Sequence, residues 1–411
     1  MARTMKDSGI EWIGKIPIDK ETIRLKYIAD ITTGNMDTQN KNNEGIYPFY
    51  VRSPIIEHSD DYSFDDKEAI LMAGDGVGAG RVFHLVSGKY GCHQRVYRLN
   101  NFKGVISKFL KYYLEVVFPM IMDYGSAKST VDSVRLPMIQ SVDVVMFDMK
   151  EQQRIVDFLD DKVSAIEAII SLTKKSIEEY KLYKQAVITE AVTKGLDYFV
   201  PMKDSGIEWI GQIPATWKLI PLKYKVFLNQ ETLSETTEKE YEFDYIEIGS
   251  VNLQEGIKQY EHIKFVDAPS RARRIVKKND IIVSTVRTYL KAIAQVPDRT
   301  DLVASTGFAV LTPHDIYADY LAYMIKTDYF TETVTSNSVG VSYPAINASE
   351  LIGFKIIFPS ENEQIEIARF LDAKCTEIDV LITKKESFVE EMEAYKKSLI
   401  YEYVTGKKEV L

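Results

Sequence analysis

The segment EQQRIVDFLDDKVSAIEAI, residues 151–169, returns in altered form as EQIEIARFLDAKCTEIDVL, residues 363–381. One offset aligns the two copies without a gap. Each copy opens with a capping-box pattern, an Asp or Ser followed three residues later by Glu, which satisfies the free backbone amides of a helix start. The sequence therefore predicts two long helices, over residues 151–197 and 362–411.

Apolar side chains recur alternately four and three residues apart along both predicted helices, which is typical of helices that pack together along their length. Polar residues interrupt the two seams at equivalent places, Thr173 and Lys184 in the first and Lys385 and Lys396 in the second. Such polar positions cost stability and can fix the register of a helix pair. The apolar seam positions are Leu159, Val163, Ile166, Ile170 and Ile177, and Leu371, Ile378, Ile382, Val389 and Met392.

An amphipathic helix can also lie on the core of its own domain. Two helices of ~45 residues, however, would each reach ~65–70 Å, which is longer than a compact domain is wide. We therefore predict that the two helices pair antiparallel as a rigid coiled-coil spacer.

A second repeat stands in front of each variable block. MKDSGIEWIGKIP, residues 5–17, returns as MKDSGIEWIGQIP, residues 202–214, with Lys15 replaced by Gln212. The order of motif, variable block and long helix thus occurs twice, which predicts a tandem repeat related by an approximate twofold. The predicted division has four segments. Residues 1–150 and 198–361 each contain a repeated motif and a variable block, and residues 151–197 and 362–411 are the two long helices.

The variable blocks, residues 18–150 and 215–361, differ in length and in most of their sequence. Each carries several strand-like runs, then one apolar helix and a polar Gly/Ser/Thr loop. We predict a mixed α+β fold for both blocks. The strand-like runs are residues 47–51, 69–73, 81–87 and 94–99, and 243–251, 281–285, 292–296 and 307–311, and the helices include residues 108–114 and 319–325.

The composition is that of an ordinary globular protein, with 411 residues and a formal net charge of −9. This charge argues against nonspecific coating of nucleic acid by the whole surface but leaves room for local basic faces. The N-terminus lacks the apolar core of a signal peptide, and no run approaches the ~20 apolar residues that span a membrane. We therefore expect a cytoplasmic protein without a membrane partner. Cys92 and Cys375 lack the spacing of a disulfide framework or a structural zinc site.

The glycine-rich run Gly74-Asp-Gly-Val-Gly-Ala-Gly80 partly matches a dinucleotide-binding loop. Such a loop must lead from a strand into a helix, whereas the following residues, from Arg81, are strand-like. We therefore predict a tight strand-to-strand turn, with Asp75 as a turn residue, and no cofactor. The sequence also lacks the motifs for amine methylation and ATP binding and any His/Cys or Ser/His grouping, so no residue is a candidate catalyst or metal ligand.

Several motifs follow one another in a specific order: the repeated DSGIEWIGxIP openings, the EQxxIxxFLDxK helix starts, Tyr47-Pro-Phe with the glycine-rich run and GKYGCHQRVYRL, and IIVSTVRTYL from Ile281 with Ser305-Thr-Gly-Phe. In this order they resemble the specificity subunit of type I restriction-modification systems over the whole chain. The resemblance implies a non-catalytic subunit with two target-recognition domains, each of which reads one half of a split sequence in double-stranded DNA. It also implies that the long helices set the separation of these domains and dock modification subunits, expected as two copies, with restriction subunits joining through the complex.

Candidate DNA-reading side chains lie on loops of the variable blocks, because Arg or Lys pairs with guanine edges and Asn or Gln with adenine edges. In the first block they are Arg81, Gln94, Arg95 and Lys128. Gln94 and Arg95 follow the Gly91-Cys-His turn, which we expect to be an exposed tip that can enter a groove. The alternative is an ordinary polar strand.

The second block has a denser basic cluster. Its candidates are Arg271, Arg273 and Arg274, beside two lysines at 277 and 278, and Arg287 and Lys291 on either side of Tyr289. Because about half to two-thirds of protein–DNA hydrogen bonds go to the backbone, we expect these side chains to contact phosphate more than bases. The alternative is a solvated helix or turn face.

Two functions agree with this organisation. One is a DNA sequence reader that directs a methylation and cleavage complex, and the other is a coiled-coil scaffold whose α/β blocks bind proteins or small molecules. Unlike blocks on duplicated frames favour the reader, because an asymmetric bipartite target needs two different surfaces and a scaffold does not.

Overall fold

The chain divides into two compact units in a computed structural model that describes residues 3–125 and 133–410. The first unit comprises Met1–Lys175 with Lys385–Leu411, and the second comprises Ser176–Lys384. Each unit holds one variable block and part of both long helices. The predicted mixed α+β fold, with two tandem blocks and two long helices, is confirmed. The division into four separable segments stays a prediction.

The first unit is built around a six-stranded sheet of order β4-β9-β7-β8-β5-β6, in which only β5 and β8 pair in parallel. Its strands are β1 Met5–Asp7, β2 Lys15–Pro17, β3 Glu21–Arg24, β4 Asp30–Thr33, β5 Tyr47–Tyr50, β6 Glu57–Ser59, β7 Phe64–Ala73, β8 Phe83–Cys92, β9 Val96–Asn100 and β10 Asp143–Met146. Its helices are α1 Ser107–Gly125, α2 Leu136–Gln140, the first part of α3 Met149–Lys194 and the last part of the second long helix, which ends at Val404.

The second unit contains two four-stranded sheets, of order β14-β23-β20-β21 and β18-β15-β22-β19. Its strands are β11 Met202–Asp204, β12 Gln212–Pro214, β13 Lys218–Pro221, β14 Val226–Leu228, β15 Glu242–Ile246, β16 Val251–Asn252, β17 Gly256–Ile257, β18 Glu261–Lys264, β19 Ala272–Val276, β20 Ile281–Ser284, β21 Ile293–Gln295, β22 Leu302–Ser305, β23 Phe308–Pro313 and β24 Lys355–Phe358. Its helices are the last part of α3, α4 Ala318–Ile325, α5 Asp328–Ser336, α6 Ala348–Leu351 and the first part of α7 Glu361–Val404.

Some predicted strand boundaries were wrong where a turn interrupts an apolar run. The predicted strand over residues 243–251 stops at Ile246, because the chain turns through Gly249 and the Ser250 N–H donates to the Glu247 carbonyl at 3.1 Å. Arg81 lies in a turn ahead of β8, since its N–H donates to the Gly78 carbonyl at 3.0 Å.

A buried glutamine fixes the start of each long helix to its own block. Gln152 accepts a hydrogen bond from the backbone N–H of Ile106, just ahead of α1, at 2.8 Å. Gln364 accepts one from the backbone N–H of Tyr317, just ahead of α4, at 2.8 Å. Both side chains also donate to nearby carbonyls, those of Gly104 and Phe147 for the first and Pro359 for the second. This use of the amide explains the glutamine of the repeated Glu-Gln pair.

The two helix caps use opposite halves of the predicted capping box. Asp148 accepts from the backbone N–H of Glu151 at 2.9 Å, while the Glu151 carboxylate forms an ion pair with Lys20 at 2.6 Å. At α7 the Glu363 carboxylate instead accepts from the backbone N–H and the hydroxyl of Ser360. Each helix start therefore forms only one of the two hydrogen bonds of a complete capping box: the cap side chain accepts at α3, and the glutamate side chain accepts at α7.

Both long helices end earlier than predicted, at a glycine in the left-handed region. Gly195 has φ +79° and Gly406 has φ +74°. A glycine just past the last helical turn is a common helix stop because it adopts this conformation without a side-chain clash.

In the first unit, α3 and α7 run antiparallel. The ring centroids of Phe158 and Tyr403 lie 4.5 Å apart, and Lys396 forms an ion pair with Glu167 at 3.1 Å. Within the last turn of α7, the Tyr401 hydroxyl donates to the carbonyl of Ile13 in the first repeated motif at 2.9 Å. The C-terminal end of α7 is therefore an integral part of the first unit.

In the second unit the same two helices are joined through another polar seam position. Lys184 forms an ion pair with Asp379 at 2.6 Å. Ile188 and Val192 of α3 share one core cluster with Leu371 and Cys375 of α7. Of the predicted seam residues, Met392 is half-buried and the following are buried: Leu159, Val163, Ile166, Ile170, Ile177, Leu371, Ile378, Ile382 and Val389.

Candidate nucleic-acid interface

Loops that follow β4, β5, β7 and β8 converge in the first unit. The backbone N–H of Gly74 donates to the Arg95 carbonyl at 2.9 Å, and that of Gln94 donates to the Met36 carbonyl at 2.8 Å. The backbone N–H of His93 donates to the Tyr50 carbonyl at 3.0 Å. These main-chain bonds hold residues from four separate loops side by side.

Asp75 is the centre of this group, which the sequence did not reveal. Its carboxylate accepts from Arg52 at 3.0 Å and from Arg95 at 2.8 Å. Burial alone would raise the pKa of Asp75, but the hydrogen bonds from Arg52 and Arg95 and their charges lower it. The carboxylate is therefore charged at neutral pH and fixes two guanidinium groups.

Asp37 holds a second part of the same surface. Its carboxylate accepts from the side-chain amide of Gln94 at 3.1 Å and lies 3.6 Å from His93 Nε2. Burial and the charge of Arg52 lower the pKa of His93, which favours a neutral ring at neutral pH. Gln94 thus carries an oriented amide beside the two arginines.

The expectation of an exposed tip at Gly91-Cys-His was wrong. These three residues are buried, because Gly91 and Cys92 pair with β5 and the His93 ring packs under the loop. Only the next two residues, Gln94 and Arg95, are exposed. The exposed tip of the turn is therefore formed by Gln94 and Arg95, which directly follow the three residues predicted to form it.

The glycine-rich run joins the antiparallel strands β7 and β8, so the prediction of a strand-to-strand turn is confirmed. Arg81, at its end, is exposed and forms an ion pair with Asp123 on α1 at 2.9 Å. Lys128 lies outside the described residues.

In the second unit, three arginines lie on or beside β19, an edge strand of its sheet. Arg271 is exposed, whereas the guanidinium of Arg273 lies 4.8 Å from the Phe265 ring and that of Arg274 donates to Thr232 at 3.3 Å. The cluster thus lies on an edge strand with its side chains pointing in different directions, and not on the helix or turn face that was the alternative to a phosphate-binding cluster. Of the adjacent lysines, Lys277 pairs with Glu231 and Lys278 with Asp298.

Arg287 is the accessible cation of the neighbouring loop between β20 and β21. Its backbone is left-handed, with φ +51°, and its guanidinium lies 4.8 Å from the ring of Tyr343, which is exposed. Lys291, by contrast, forms an ion pair with Glu332 at 2.7 Å. The arrangement places a cation and an aromatic face together on an exposed loop, a pairing that serves phosphate contact and base stacking.

Among the described residues, no group of three or more His, Cys, Asp or Glu side chains is placed to hold a metal ion. The described helices also include none that is both long and apolar enough to cross a membrane.

The type I restriction modification DNA specificity domain matches the chain twice, over residues 17–181 and 224–390. The chain belongs to this family. The first match covers the whole of its variable block and the second covers most of its own, and each runs on into a long helix, as the repeated sequence predicts. A specificity subunit of this family is the non-catalytic member of its complex, and its role is DNA sequence recognition.

Two specificity subunits show the extent of the similarity. The type I restriction enzyme EcoDI specificity subunit of Escherichia coli is 22% identical over 387 residues, which cover 87% of this chain and 81% of the relative. The MjaVIII specificity subunit of Methanocaldococcus jannaschii is 22% identical over 421 residues, which cover 96% of this chain and 94% of the relative.

A solved chain from a study of complex assembly and conformational transition of the type I R-M system has the same fold, with a TM-score of 0.70. It is 14% identical in sequence, and the match covers 96% of this chain and 99% of that chain. With the family established, the two loop surfaces are the candidate DNA-reading sites, and the scaffold alternative is not favoured.

Proposed function

We propose that the chain is the specificity subunit of a type I restriction-modification complex and reads an asymmetric, bipartite target in double-stranded DNA. The loop surface around Asp75 in the first unit reads one half-site, and that around Arg287 in the second reads the other. The observation that carries this proposal is the pair of unlike polar surfaces on duplicated frames. A scaffold needs no such difference.

The helix pair sets the spacing of the half-sites and docks modification subunits, two copies for two repeated frames. Restriction subunits join through the assembled complex, and the protein acts in the cytoplasm, where the target DNA lies. The chain itself carries out neither methylation nor cleavage. Because each variable block lies between repeated frame elements, residues 18–150 and 215–361 act as separable modules.

A block exchange tests the proposal. Residues 18–150 are replaced by the corresponding block of another family member, and the methylated target is sequenced in cells that also hold the modification subunit. One half-site should change and the other should persist. A change in both halves would contradict modular reading.

A salt titration separates the reader from the scaffold. A complex that neutralises several DNA phosphates loses affinity steeply as salt rises, because bound counterions are released. We expect a clearly negative slope of log affinity against log salt concentration for the assembled complex. A slope near zero would favour the scaffold.

A further inference from the structure

The glycine-rich turn of the first unit is shaped to receive two arginines from other loops. A Cβ atom at Gly74 would lie 2.8 Å from the Arg95 carbonyl oxygen, and one at Gly78 would lie 2.4 Å from the Arg52 carbonyl oxygen. Contacts this short exclude a side chain at either position. The two glycines therefore allow the backbones of Arg52 and Arg95 to sit against the turn that carries Asp75.

The bonds to Asp75 leave both guanidinium groups able to bind a second partner. Each arginine uses one terminal nitrogen, Nη1, on the carboxylate. A guanidinium has five N–H donors in one plane, so a single bond orients the plane and leaves donors for another acceptor. The side chain of Arg95 is 62% exposed and that of Arg52 46% exposed, whereas that of Asp75 is only 14% exposed.

A carboxylate at this position opposes simple phosphate binding. DNA is uniformly negative, so a charged Asp75 on a DNA-facing surface weakens nonspecific attraction. Its presence is better explained by orientation of the arginines, because a fixed guanidinium plane can bind the O6 and N7 acceptors of guanine in a bidentate manner.

We propose that Asp75 is a positioning residue that holds Arg52 and Arg95 as a paired reader of guanine in the half-site of the first unit. This inference rests on the proposed function and deepens it by naming the base chemistry of one half-site. Gln94, oriented by Asp37 beside the pair, adds an amide of the kind that reads adenine.

The test compares two carboxylate-to-amide changes in the same unit. Asp75→Asn removes the proposed positioning charge. Glu115→Gln is the matched control, because it changes charge equally and removes an ion pair with Lys111 (2.6 Å) on α1. Both variants are assembled with the modification subunits and selected on duplexes in which either half-site is randomised, and affinity for nontarget DNA and the melting temperature are also measured.

For Asp75→Asn we expect the preference for guanine at one or more positions of one half-site to fall ~10-fold. The preference at the other half-site should not change. Affinity for nontarget DNA should stay the same or rise, because a negative charge has been removed. Glu115→Gln should leave both half-sites as they are. Arg95→Lys, which keeps the charge but lacks the planar fork, should repeat the loss of guanine preference.

A native half-site without guanine on either strand would overturn the inference. An unchanged guanine preference in Asp75→Asn would also overturn it. A lower melting temperature with unchanged preference would identify Asp75 as a structural ion-pair partner only, which also overturns it. If Asp75→Asn does not fold, Arg95→Lys decides by the same criterion. Loss of preference at both half-sites in Asp75→Asn would instead contradict the modular reading on which the inference rests.

Discussion

The carboxylate of Asp66 and the guanidinium of Arg98 form a largely buried ion pair in the first unit, with Arg98 Nε donating to Asp66 Oδ2 at 2.7 Å. The Tyr90 hydroxyl also donates to this carboxylate. The pair joins the neighbouring strands β7 and β9, which are continuous with the glycine-rich turn and with the loop of Gln94 and Arg95 in the candidate interface. It therefore ties the stability of that surface to pH.

Burial by itself would raise the pKa of Asp66, but hydrogen bonds from Arg98 and Tyr90 and the charge of Arg98 lower it below its ordinary value of 3.8. A carboxyl group with a lowered folded-state pKa stabilises the fold above its unfolded-state pKa, and this stabilisation is lost as the pH falls through the folded-state value. We predict that the first unit loses stability below about pH 4. Hydrogen exchange of β7 amides across a pH series checks this.

In the Asp66→Asn variant the acid-dependent loss should be shallower, and stability at neutral pH should fall by about 3 kcal/mol because Arg98 keeps a buried charge without its counter-ion. Asp65→Asn is the matched control, since Asp65 is exposed on the same strand. An equal effect of the two changes would contradict a special role for Asp66.

Replacement of Gln152 by leucine should destabilise the first unit. The change leaves the Ile106 N–H and the carbonyls of Gly104 and Phe147 without their partner, and each unsatisfied buried group costs ~1–3 kcal/mol. We expect a total loss of at least about 2 kcal/mol in chemical denaturation. Gln153→Leu, at the exposed neighbouring position, should change stability by less than ~0.5 kcal/mol. Similar values for the two variants would rule out the buried amide as the helix anchor.

Arg287→Gly should separate stability from DNA binding. Arg287 has φ +51°, a conformation that costs a non-glycine residue ~1 kcal/mol, so glycine should leave stability unchanged or slightly higher. Loss of the cation should weaken binding to the half-site of the second unit. Thermal melting and duplex binding by the assembled complex measure the two effects.

Asp315→Gly is the control, because Asp315 has φ +52° but lies outside the basic cluster. Asp315→Gly should change stability by the same amount as Arg287→Gly and should leave binding to the DNA duplex unchanged. Unchanged duplex binding in Arg287→Gly would remove Arg287 from the interface.

The helix pair should act as a ruler for the target. Four residues inserted after Ser171 add about one helical turn, ~6 Å, and keep the seam roughly in phase. We predict the same two half-sites with a spacer longer by one or two base pairs, read from the methylated DNA of cells that hold the complex. A change of one base pair also rotates the second half-site about the duplex, so the spacer is a sensitive readout.

A second insertion makes this test sharper. Four residues added after Ala394 lie between Glu393 and Lys396, the partners of Lys174 and Glu167 on α3, and restore the pairing in the first unit. The doubly extended variant should assemble at least as well as the single one and keep the longer spacer. An unchanged spacer in an assembled complex would show that the helices do not set the distance.

The helices, the repeats and the mixed α+β blocks were predictable because their signals are local or periodic. The Glu-Gln pair and the seam of Leu159 and Leu371 can be recognised within a few turns of helix. The candidate interface was less accessible, because the partners of Asp75 lie 23 and 20 residues away in the sequence. The sequence around an aspartate in a glycine-rich turn is the same whether or not distant arginines bind to its carboxylate.

The pattern of apolar residues also predicted the wrong ends for some strands. The run from Phe243 continues in composition past Ile246, but the chain leaves the sheet there because a turn satisfies its backbone groups locally. The exposure of Gln94 and Arg95 was anticipated, whereas the burial of Cys92 depends on pairing with β5, which the sequence did not indicate.

The first unit is assembled from both ends of the chain, Met1–Lys175 and Lys385–Leu411, whereas the second is one continuous stretch. On the ribosome, the second unit is therefore complete before the first, although it is encoded later. Until residues 385–411 emerge, the first unit lacks the part of α7 that packs Tyr403 against Phe158 and supplies the Tyr401 hydroxyl to Ile13. Nascent chains consequently expose, through most of translation, the apolar residues of the first unit that pack against the end of α7.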